Sequence, residues 1–194
     1  DLVVLGIGAL KNSFNKSEGI KIEYVDPADL VYSYTDSPYF DDIYYVGEVK
    51  QIYANELKKQ FPEVTDEDIE RYRGYSTAYR KRTVVNKKGD DSNAISVLYF
   101  EYKTYMSEVY KVKNTSTGGQ RAIKKDSGFN PPKNEDFQKV ERVIEVIYEG
   151  AKILGSGSDK LLKWELKKNM IRPKADTTKA VMSYSMCAPR MYEG

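Results

Sequence analysis

Apolar and polar residues alternate over short stretches broken by turn chemistry, and this period of two predicts a chain built mainly from strands. Residues 2–11 are apolar with two glycines, and Ile20, Ile22 and Tyr24 alternate with Lys21 and Glu23. Two strands on either side of the polar turn at residues 15–19 predict a hairpin. Asp26-Pro27 ends the second strand, because proline donates no ladder hydrogen bond and biases the residue before it to extended geometry. After an aromatic and acidic loop at residues 32–42, residues 43–52 read as another strand.

The longest alternation runs over residues 97–112. Leu98, Phe100, Tyr102, Met106, Tyr110 and Val112 fall on one side, and Glu101, Lys103, Ser107 and Lys111 on the other. The polar side is expected to face water. A short helix is predicted at residues 56–61, stopped by Pro62, and a second at 66–73 behind a capping box that starts at Thr65. Residues 141–154 read as a tight hairpin about Glu149-Gly150, since glycine supplies the positive φ of a two-residue turn. Residues 114–119 and 155–159 read as turns and 124–135 as a loop, and 161–166 fits a strand or a short helix equally. Residues 172–194 look irregular, with Met182, Met186 and Met191 available to pack. Residues 74–93 lack periodicity and read as a mobile, partly basic excursion. The sum is a single domain over residues 1–194 of α+β class, mostly antiparallel β strands and hairpins with a few short helices.

Composition narrows the chemistry. The chain of 194 residues has no histidine, so hydrolase triads built on imidazole and most catalytic zinc sites are excluded. Its one cysteine, Cys187, can form no internal disulfide and reads as a small apolar core residue of a protein from a reducing compartment. Basic and acidic residues nearly balance, 31 against 29, so any attraction to nucleic acid must be local. No apolar run reaches membrane-spanning length. Seventeen tyrosines are many for this length, and tyrosine suits protein interfaces because its ring buries apolar area while its hydroxyl tolerates water.

Several clusters invite a chemical reading. Asp26, Asp29, Asp36, Asp41 and Asp42 crowd one segment but lack the ligand alternation of a calcium loop, and aspartates beside prolines and turns cap backbone amides. Asp91 with Glu101 and Lys103 resembles the Asp then Glu-x-Lys core of metal-dependent nucleases of restriction type. The second, closer-spaced match of Asp42 with Glu48 and Lys50 shows how readily that pattern arises, and the plainer reading makes Glu101 and Lys103 the wet side of a strand. Arg80, Lys81, Arg82, Lys87 and Lys88 form a basic cluster able to touch a DNA backbone. The Gly-Ser repeat at residues 155–158 has no lysine after it and is not a phosphate loop. No motif calls for a cofactor.

Three stretches share a further likeness: residues 19–50 with Val25-Asp26-Pro27 and the acidic loop through Asp36, Asp41 and Asp42; residues 146–155; and residues 167–173 leading to Ala188-Pro189. In this order they resemble portal proteins of tailed bacteriophages, closest to those of the crAss-like gut phages. The resemblance implies a structural, non-enzymatic subunit of a ring, a dodecamer in the full-length protein, at the capsid vertex of the virion. Such a ring is assembled in the cytoplasm of the infected bacterium, conducts double-stranded DNA without reading it, and meets capsid, terminase and neck proteins. This chain, which opens at Asp1 without an initiator methionine, would supply mainly the wing domain as an internal fragment. Tyr32, Tyr34, Tyr39, Phe40, Tyr44 and Tyr45 are the candidates for contact between subunits.

Overall fold

The computed structural model describes residues 6–17, 19–72, 94–130, 137–154 and 161–189. Its strands form two sheets. The smaller has the order β2-β1-β9, from β1 (Gly8–Asn15), β2 (Gly19–Val25) and β9 (Tyr184–Cys187), all antiparallel. The larger has the order β3-β4-β5-β7-β8, from β3 (Leu30–Tyr32), β4 (Tyr45–Tyr53), β5 (Ala94–Asn114), β7 (Phe137–Ile153) and β8 (Leu161–Leu166). This is the mostly antiparallel α+β architecture that the alternation predicts.

One strand organises the larger sheet. β5 is 21 residues long and pairs with β7 along one edge from Val97 to Lys113. Its other edge is shared: the first half pairs with β4, and the far end pairs with β6 (Gln120–Lys125). The far ends of β5, β6 and β7 therefore make a three-stranded arm. The turn into β6 falls at the predicted residues, with Gly118 at φ 79° and the Thr115 hydroxyl accepting from the Gly119 amide at 3.0 Å.

Two helical segments cover one end of the sheet, α1 (Ala54–Gln60) and α2 (residues 66–72). The predicted box at Thr65 forms, with aspartate in the place glutamate usually takes: Asp68 N–H donates to Thr65 Oγ1 at 3.3 Å and Thr65 N–H to Asp68 Oδ2 at 3.4 Å. Leu57, Val64, Ile69 and Tyr72 pack against Ile52, Ile95, Val97 and Ile153 to form one core. A second core lies between the sheets, where Ala9, Val25, Tyr184 and Met186 meet Val46, Ile147, Phe40 and Ile43.

Four expectations change. The hairpin about Gly150 does not exist; β7 runs straight through it, because the Phe100 ring of β5 lies over the space a side chain would need. Glu101 is buried rather than wet, because the smaller sheet covers its side of β5. Cys187 is exposed, since the alternation of β9 turns Tyr184 and Met186 inward and Ser185 and Cys187 outward. The region expected to be irregular supplies β9, which pairs with β1.

Candidate functional site

The smaller sheet carries large apolar side chains on its solvent face as well as on its inner one. Cross-strand register places Leu10 opposite Tyr24 and Phe14 opposite Ile20 on one face, with Ile22 between them. That face points to solvent: Phe14, Ile20, Ile22 and Tyr24 are 59%, 77%, 65% and 57% exposed, and Leu10 45%. The opposite face turns inward and carries Ala9, Lys11 and Val25.

Polar chemistry fixes the sheet in this orientation. Lys11 of β1 reaches across to the buried Glu48 of β4, which also takes Lys50 at 3.2 Å and the Tyr184 hydroxyl at 3.3 Å. Burial, then the charges of Glu48 and Glu101, pushes the Tyr184 hydroxyl far above its ordinary range, so it stays a donor. Lys167 Nζ lies 2.5 Å from Glu101 Oε1, and the Ser183 amide donates to Glu101 Oε2 at 2.8 Å. Once Glu48 and Glu101 are buried, their cationic partners must face inward with them, because an unpaired buried charge is strongly destabilising. The apolar face is left outside.

A second exposed surface is aromatic. Phe100, Tyr102, Tyr148 and Trp164 share the outer side of the larger sheet, with Tyr148 and Trp164 stacked at 5.1 Å between centroids and 7° between planes. Tyr44 meets Tyr102 edge to face at 6.2 Å. Of the rings predicted for subunit contact, Tyr34, Tyr39 and Tyr44 are well exposed and Tyr32 and Tyr45 partly so. Phe40 is the exception: it is buried in the inter-sheet core with its backbone in the left-handed region at φ 55°, and its ring meets Tyr32 at 5.4 Å.

The acidic segment caps its own loops, as aspartates in turns do. Asp26 accepts from the Ala28 amide at 3.0 Å, and Asp42 accepts from the Thr35 hydroxyl and the Asp36 amide. The Thr35 hydrogen bond leads in holding the Asp42 carboxyl below its ordinary range. No family model and no curated protein matches this sequence.

Of the nuclease-like trio, only Glu101 and Lys103 are among the described residues. Asp91 lies outside them, as do Arg80, Lys81, Arg82, Lys87 and Lys88. Glu101 borders a cleft of about 330 Å³ with Lys11, Glu149 and Lys163, whereas Lys103 lines a separate hollow of about 440 Å³ beside Asp41 and Glu145. In the first cleft the charges are matched, Lys163 with Glu149 at 2.5 Å and Glu101 with Lys167. Among the described residues no three acidic or thiol side chains gather as a metal site, and no helix is long and apolar enough to cross a membrane.

Reasoning from sequence missed Leu10, Phe14, Ile20, Ile22 and Tyr24 as a surface. The alternation that marks them was visible, but alternation gives two faces without saying which is wet.

Proposed function

We propose that this chain is a structural module that associates with copies of itself, and that it serves as a wing-type piece of a phage portal ring at the capsid vertex. It has no active site of its own in this reading, and the ring conducts DNA during packaging and ejection. The single observation that carries self-association is the outward apolar face of the β1–β2 hairpin. Five large side chains on one small sheet face form the kind of contiguous apolar patch that marks an interaction site on a soluble domain. The exposed rings of Tyr34, Tyr39 and Tyr44 lie on a different element, the loop that precedes β4. Two unlike adhesive patches suit a heterologous contact, in which the patch of one copy meets a different patch of the next and a ring closes when the rotation allows it. The resemblance to portals in residues 19–50, 146–155 and 167–173 supplies the kind of ring.

Native mass spectrometry with negative-stain imaging tests this proposal. Closed rings of one discrete size support it, and a protein that stays monomeric at every concentration overturns it.

A further inference from the structure

The long strand β5 is paired continuously on one edge and only toward its two ends on the other. β7 takes it from Val97 to Lys113. On the opposite edge the ladder with β4 stops at Tyr102 and the ladder with β6 starts at Val109. One further bond, from the Lys103 amide to the Tyr44 carbonyl at 2.7 Å, closes the β4 end. Among the described residues no strand lies beside residues 104–108 on that edge, a gap of about 17 Å at the rise of an antiparallel strand.

Three hydrogen bonds fix which backbone groups face the gap. The Ser96 carbonyl accepts from the Leu154 amide, just past the end of β7, so even positions of β5 turn toward β7. The Lys103 amide donates toward β4, and the Thr115 amide, just past the end of β5, donates to the Gly119 carbonyl on the β6 side at 2.7 Å. Odd positions therefore turn toward the β4–β6 edge at both ends, and the register with β7 runs without a slip from Val97 to Lys113. Tyr105 and Ser107 thus each present an N–H and a C=O to the gap, with no partner for them on that edge among the described residues. The side chains around it leave it open: Tyr105 is 72% exposed, Met106 37%, and Val143, opposite Ser107 on β7, 58%.

We infer that residues 104–108 form a docking slot for an extended segment of a different polypeptide, which enters as an added antiparallel strand between β4 and β6. Donors and acceptors repeated two residues apart along a straight strand match an extended backbone, the mode by which peptides join an open sheet edge. Both neighbours on this edge run antiparallel to β5, and β7 already holds β5 straight across the gap, so only the incoming segment has to be ordered. Its residues opposite Tyr105 and Ser107 share a face with Tyr105 and Val143, which favours apolar side chains there and excludes proline at both. An edge strand of a second copy would bring its own neighbouring strand into a gap closed at both ends, so a single segment fits better. The slot uses neither the apolar face of β1 and β2 nor self-association.

The test is proton–nitrogen NMR on the full chain, with the blocked peptide acetyl-Thr-Val-Thr-Val-Thr-amide as the probe. In the free protein the Tyr105 and Ser107 amides are expected to exchange quickly with solvent, whereas the Thr104 and Met106 amides, bonded to β7, exchange slowly. Titration is expected to give saturable shifts centred on residues 104–108 and to protect Tyr105 and Ser107. Methylating the nitrogens of both valines, whose amides would donate to Tyr105 and Ser107, is expected to weaken binding roughly tenfold or more. Methylating the central threonine, whose amide would face away from β5, is expected to leave binding as it was. Slow exchange of Tyr105 and Ser107 in dilute free protein, no saturable shift at millimolar peptide, or equal binding by the two methylated peptides each overturns the inference. Protection of these amides that rises with protein concentration in the absence of peptide also overturns it, by giving the slot to a second copy.

Discussion

The ring of Phe100 lies directly over Gly150 of the neighbouring strand: a Cβ at Gly150 would sit 2.5 Å from Phe100 Cζ. The same phenylalanine crowds Gly47 on its other side, where a Cβ would meet the Tyr99 carbonyl oxygen at 2.6 Å and Phe100 Cβ at 2.8 Å. Register aligns Gly47, Phe100, Gly150 and Trp164 in one row across four strands. The Phe100 ring fills the space at Gly150, and the β5 backbone with Phe100 Cβ closes the space at Gly47.

Alanine at either position therefore overpacks the row, but not equally. At Gly150 the obstacle is the edge of a ring that can tilt, whereas at Gly47 it includes backbone that cannot. Urea unfolding is expected to show Gly150→Ala losing about 1–2 kcal/mol and Gly47→Ala about 3 kcal/mol. Adding Phe100→Leu to Gly150→Ala should recover part of the loss, a coupling that only contact between the two explains. Parent-like stability in both alanine variants would refute the packing.

The Glu101–Lys167 pair makes a second prediction. Lys167→Met leaves a buried carboxylate without its cation, and a loss of about 3–5 kcal/mol is expected. The double variant Glu101→Gln/Lys167→Met should be more stable than Lys167→Met alone. Because Glu101 is held by Lys167 and the Ser183 amide, Mg²⁺ is expected to leave the Tm unchanged. A rise in Tm with Mg²⁺ that Glu101→Gln abolishes would favour the metal-dependent nuclease reading instead.

Acid should weaken the arm through Glu108. Burial pushes this carboxyl up, but hydrogen bonds from Lys124, Tyr110 and Arg142 outweigh burial and hold it down at about 2. A folded-state value below the unfolded 4.5 means that the contribution is complete above about pH 4.5 and fades as pH falls toward 2. The stability gap between the parent and Glu108→Gln is thus expected to be widest near neutrality and to close in acid. A gap independent of pH would show that Glu108 is not ionically held.

Local signals in the sequence were enough to locate the first hairpin, the helices around Leu57 and Ile69, and the long strand through Phe100, because each is set by alternation or capping within a few residues. Gly150 was misread for the same reason: its turn chemistry is local, while the ring that makes it part of a strand comes from residue 100. The pairing of Gly8 with Cys187 joins the two ends of the described chain and leaves no local trace. The burial of Glu101 was equally hidden, since it depends on Lys167 and Ser183 arriving from 66 and 82 residues away. The candidate surfaces were half legible. Tyrosine abundance pointed to interfaces, but only the inward pull of Glu48 on Lys11 decides that Ile20 and Ile22 face water.

The most direct test of a self-associating module is sedimentation velocity on the parent and on Ile20→Asp/Ile22→Asp across a concentration series. Both residues lie on the solvent face of an edge strand, so the substitutions should leave the fold and its circular dichroism intact. The account predicts assemblies for the parent and a monomer for the variant. Identical sedimentation of the two folded proteins would contradict it.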